Sequence, residues 1–94
     1  MDFVDVIRDH RDMIEEQFDV ERIGVFGSAV RGEMTSDSDV DVLVEFRSGK
    51  ASFDRYMDLK FFLEDLFSRD VDLVTIRSIK SRIRDHVLSQ AKYA

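Results

Sequence analysis

The 94-residue chain has room for one domain, read here as residues 1–94, and its 44% hydrophobic content suffices for a core. Having no cysteine, it can form neither disulfides nor thiolate metal sites, and its net charge of −6 disfavours direct nucleic-acid binding through phosphate neutralisation. The acidic start Met1-Asp2-Phe3-Val4-Asp5 is unlike a secretory signal, and no apolar run approaches the roughly 20 residues that span a bilayer; a soluble cytoplasmic protein, not a membrane protein, is expected.

Phe3, Ile7, Ile14 and Phe18 recur at helical spacing, with Asp5, Arg8, Asp12 and Glu15 opposite, which predicts a helix over about Asp2–Gln17. His10 falls near its apolar stripe and reads as a hydrogen-bonded core or interface histidine. Arg22–Phe26 is short and apolar, as a buried strand is, and runs directly into Gly27-Ser28. Ala29–Arg31 fits a short helix ended by Gly32, and Glu33–Ser38 a polar loop. Asp39–Phe46 alternates, with Val40, Val42, Val44 and Phe46 against Asp39, Asp41, Leu43 and Glu45, and is the clearest strand. A turn at Arg47–Lys50 leads to a helix over Phe53–Phe67, a strand over Val71–Ile76 and a final helix over about Ser78–Lys92. In the Phe53–Phe67 helix, Tyr56, Leu59, Leu63, Leu66 and Phe67 make the core face, while Met57 and Phe61 lie among acids on the other side and favour a contact surface. The order predicts an α/β (α+β) fold: a small sheet of three or slightly more strands with helices mainly on one face. Charge is uneven, since Arg77, Lys80, Arg82, Arg84 and Lys92 against Asp85 give residues 77–94 a net +4, leaving −10 for the remainder.

Two positions apart on a strand, Asp39 and Asp41 project from one face. Carboxylates that close repel each other unless a cation lies between them, and Mg²⁺ favours sites shared by a few carboxylates and substrate phosphates. Asp72, inside the apolar run Val71–Val74, needs a partner if buried, and converges on the other two if its strand is the neighbour. Three such acids suit two-metal phosphoryl chemistry, with Asp72 serving the metal near the nucleophile or acting as the base. Gly27-Ser28, where a strand turns into a helix, offers close backbone approach, N–H groups and a hydroxyl to an anion. Arg31 is near enough in sequence to reach a phosphate, or to pair with Asp37 or Glu33. The signal lies in the whole spacing, with ten residues between Ser28 and Asp39 and Asp41 two further on.

With these residues in place, the segment GVFGSAVRGEMTSDSDVDVLVEF resembles the DNA polymerase β-like nucleotidyltransferase superfamily, marked by Gly-Ser, a spacer and Asp-x-Asp. More closely, with VDLVT and IRDHVLSQAKYA, nearly the whole chain looks like the minimal nucleotidyltransferases, the MNT-domain proteins. The resemblance implies the nucleotidyltransferase fold with a mixed sheet. It implies two Mg²⁺ ions on Asp39, Asp41 and Asp72, and ATP with its triphosphate at Gly27 and Ser28. It also implies an antitoxin role in a type VII-like toxin–antitoxin pair, in which AMP is moved from ATP onto a tyrosine of a HEPN-domain ribonuclease toxin. A chain this small holds little beyond a catalytic framework, so its acceptor is expected on a partner or a second copy, in a homo- or hetero-oligomer. The alternatives are an antitoxin that neutralises by binding alone, and a transferase with a small-molecule acceptor.

Overall fold

The computed structural model describes residues 2–94. Its first helix is two: α1 (Phe3–Asp9) and α2 (Arg11–Phe18). Asp2 caps α1, its carboxylate accepting from the amides of Val4 and Asp5 at 3.0 and 3.3 Å. The single expected helix breaks at His10, whose backbone (φ −110°, ψ 7°) leaves the α region while its Nδ1 lies 2.9 Å from the Val6 carbonyl oxygen. The ring meets Phe62 edge to face, so His10 is the packed, hydrogen-bonded residue expected. Ile7 and Ile14 are still buried in one core cluster.

Strand β1 (Val20–Phe26) leads through Gly27 into the one-turn helix α3 (Ser28–Arg31), and β2 (Val40–Phe46) follows the polar loop. Helix α4 (Phe53–Phe67), capped by the Ser52 hydroxyl, crosses back to β3 (Val71–Thr75), giving the parallel β2–β3 pair that a strand–helix–strand unit builds. The last residue of the expected third strand, Ile76, instead opens a 3₁₀ turn through Ser78, and α5 (Ser81–Gln90) starts three residues later than expected. A strand unmarked in the sequence, β4 (Lys92–Tyr93), then pairs antiparallel with β1 at Gly24 and Val25. The sheet has four strands in the order β3-β2-β1-β4, with β1 antiparallel to β2, and is mixed as expected.

Val40, Val42, Val44 and Phe46 of β2 face the main core, with Ile7, Ile14, Leu59, Leu63 and Phe67 from α1, α2 and α4. Most of the helical mass therefore lies on one face. On the other face Leu43, Ile76 and Ile79 are buried under Val87, Leu88, Ala91 and Tyr93, so α5 and β4 cover part of the side from which Asp41 projects. Among the described residues no helix is long and apolar enough to cross a membrane.

Candidate active site

Register brings two of the three acids together, Asp41 and Asp72. Asp41 of β2 pairs with Asp72 of β3, and Phe26, the last residue of β1, pairs with Asp41 from the other side. Alternation puts Asp41, Leu43, Asp72 and Val74 on the same face; α5 covers Leu43 and Val74 and leaves the row of acids at its margin. Asp41 is half-buried and Asp72 exposed. Burial pushes the Asp41 carboxyl above its ordinary 3.8, and the charges of Asp72 and then Asp39 push it further, against a smaller opposing pull from Arg31. Asp72 also lies within hydrogen-bonding reach of Asp41. Asp39 immediately precedes β2, is exposed, and lines a cavity of about 480 Å³ with Ser38, Glu64, Arg69 and Asp70.

The turn after β1 closes on the same point. Gly27 has φ +67° and ψ −143°, a conformation that side chains strongly disfavour, and a Cβ there would sit 2.2 Å from Oδ2 of Asp41. Glycine is required twice over, by the backbone and by the carboxylate pressed against it. Ser28 opens α3 and its hydroxyl donates to the Met34 thioether at 3.3 Å, a weak acceptor that a phosphate oxygen readily replaces. At four residues, α3 carries little macrodipole; what it offers an anion is unpaired N–H groups at its first turn. Of the two partners expected for Arg31, the structure has Glu33, at 3.1 Å, and the pair is well exposed. Exposed pairs of this kind contribute little, so Arg31 can exchange Glu33 for phosphate at small cost.

Among the described residues no three acids or histidines are already gathered closely enough to ligate one ion. The donor set nevertheless suits a hard dication. Every side chain at the point of convergence offers oxygen, Asp41 and Asp72 adjoin, and Mg²⁺ ordinarily takes one or two carboxylates and completes its shell with phosphate and water. The repulsion that raises Asp41 is what such an ion would relieve.

Residues 7–94 match the nucleotidyltransferase domain family. The chain belongs to that family. This nucleotidyltransferase is 43% identical over 88 residues to the protein adenylyltransferase MntA of Thermococcus cleftensis, an alignment covering 94% of this chain and 88% of the relative. A solved structure of a candidate minimal nucleotidyltransferase superposes with a TM-score of 0.79 at 36% identity, over 98% of this chain and 95% of the other. A toxin–antitoxin structure with AMP-PNP gives a TM-score of 0.69 at 25% identity, covering 98% of this chain and 68% of that one. The resemblance read from the motifs therefore holds, in family and in fold. Sequence reasoning missed the contact of Met34 with Ser28, which depends on how the polar loop folds back and has no periodic signal. It also missed Phe53, the most exposed large apolar side chain among the described residues, although its spacing of four to Met57 and eight to Phe61 puts the three on one face of α4.

Proposed function

We propose that this nucleotidyltransferase is a protein adenylyltransferase of the antitoxin kind. It takes ATP with Mg²⁺ and transfers AMP to a tyrosine hydroxyl of a HEPN-domain toxin, as one minimal catalytic domain in the cytoplasm. The observation that carries the reading is Asp41 set against Asp72 in paired register, with Gly27 closed onto Asp41. Asp39, Asp41 and Asp72 would hold two Mg²⁺ ions, which when bound neutralise phosphate charge and ease loss of the acceptor proton. Gly27 and Ser28 hold the triphosphate through backbone and hydroxyl, and Arg31 leaves Glu33 to add a guanidinium. Asp72, at the solvent side of the pair, receives the tyrosine proton or holds the ion beside it. The tyrosine oxygen forms its bond to the α-phosphorus as the α–β bridging bond breaks and pyrophosphate departs.

The 43% identity to a protein adenylyltransferase supports a protein acceptor, and the fold shared with a toxin–antitoxin structure supports the class of partner. So does Phe61, exposed as expected of a contact surface, beside half-buried Met57 on α4. The test incubates the chain with α-labelled ATP, Mg²⁺ and a candidate HEPN-domain partner. The toxin is expected to gain label on tyrosine, and Asp39→Asn or Asp41→Asn to abolish labelling while the complex still forms. An unlabelled toxin within an intact complex would reject transfer and leave neutralisation by binding.

A further inference from the structure

We propose that Arg69, in the connection from α4 to β3, is a positioning residue for Asp39. Asp39 belongs to no helix or strand, and among the described residues its carboxylate makes no hydrogen bond or ion pair. Its neighbours on both sides are held instead, and by two consecutive residues. One guanidinium nitrogen of Arg69, Nη1, donates to the carbonyl oxygens of Thr35 at 2.9 Å and Ser38 at 3.0 Å. The Asp70 carbonyl accepts from the Val40 amide at 3.0 Å. The backbone on either side of Asp39 is thus tied to residues 69 and 70, and Asp72 follows two residues later. Placement of Asp39 relative to Asp72 runs through that short connection.

The connection is itself stiff. Ser68 caps α4 in the left-handed conformation (φ 54°), the Arg69 amide donates to the Glu64 carbonyl at 3.3 Å, and Glu64 Oε2 accepts from the Val71 amide at 3.1 Å. The loop adds its own lock, with the Thr35 amide donating to the Ser38 hydroxyl at 3.0 Å. Arg69 lies in a cavity lined by Asp37, Asp39, Glu64, Asp65 and Asp70, yet it forms no ion pair among the described residues. In acidic surroundings its side-chain hydrogen bonds go to two carbonyls of the loop, which assigns it to backbone geometry rather than to charge neutralisation.

The inference rests on the proposed role of Asp39 in the metal–nucleotide site. Removing an outer support of a metal ligand typically costs roughly 10- to 100-fold in affinity. The test is a double-mutant cycle read by calorimetric titration of the purified chain with AMP-PNP, with Mg²⁺ in excess and then in EDTA. Arg69→Met keeps the stem and removes the donors; it is expected to weaken Mg²⁺-dependent binding by roughly tenfold or more. Arg69→Lys is expected to recover most of the loss. In the Asp39→Asn background Arg69→Met should have no further effect, since a support acts only through what it supports. Equal losses in both backgrounds, or no loss with Asp39 intact, would overturn the assignment. If Arg69→Met does not fold, Arg69→Gln enters the same cycle. If Asp39→Asn alone binds as tightly as the parent, the role of Asp39 in the proposed site fails and the inference with it; additivity with the Asp39→Asn loss intact sinks Arg69 alone.

Discussion

Asp41 carries a cost in the folded chain that its neighbours impose. Its carboxyl is raised by burial and by Asp72 and Asp39, so the fold favours the protonated form. What that carboxyl contributes to stability is full below its ordinary value of 3.8 and is lost as the pH rises through the raised one. At neutral pH and without divalent ions, Asp41→Asn is therefore expected to melt above the parent, on the order of a few degrees for a domain this size. The gap should close as the pH falls into the carboxylate range, and Mg²⁺ with nucleotide should stabilise the parent more than the variant. Calorimetric melting across pH in EDTA checks it; a variant that melts lower at neutral pH would show that Asp41 is stabilising where it stands. That Asp72 lies in an apolar strand and needs a partner was legible, since an aspartate between valine and leucine needs a reason; that its strand adjoins β2 entered only as a condition. The contact of Gly27 with Asp41 was not, because it depends on the β1–β2 register, which no local pattern encodes.

At the scale of elements, the sequence marks what repeats and passes over what does not. β2 and α4 fall where their alternation and periodicity put them, to the residue at β2's end and at both ends of α4. The break at His10 has no glycine or proline to announce it; the side chain itself competes for the Val6 carbonyl. β4 is two residues long and has no period to read. It exists because Gly24 leaves room, since a Cβ there would stand 2.8 Å from the Lys92 carbonyl oxygen and 3.0 Å from the Tyr93 ring. Arg22 then closes over that ring, 5.6 Å from its centroid. Gly24→Ala is thus expected to push β4 off the sheet and cost about 1–3 kcal/mol, measured by urea unfolding. Unchanged stability, with the Ala94 amide still protected from exchange where it donates to the Ile23 carbonyl, would mean that the strand gives way without cost.

On the whole molecule, the sheet's second face is shared between α5 and the acids, and the outer side of α4 is left apolar at Phe53 (76% exposed) and Phe61 (55%). If a protein acceptor docks there, the Phe53→Ser/Phe61→Ser double variant should raise the KM for the toxin in the labelling assay by roughly tenfold. AMP-PNP binding should be unchanged, and an unaltered KM would place the acceptor on another surface. The pairing of Asp41 with Asp72 reaches beyond the reaction. A one-residue slip of β3 along β2 would turn Asp72 through the sheet, into the layer filled by Leu59 and Leu63. A bare carboxylate among aliphatic side chains is among the costliest errors a fold can make. Misaligned strands are thus penalised on energetic grounds before any substrate arrives, so the acids proposed for catalysis also favour the correct assembly of the sheet.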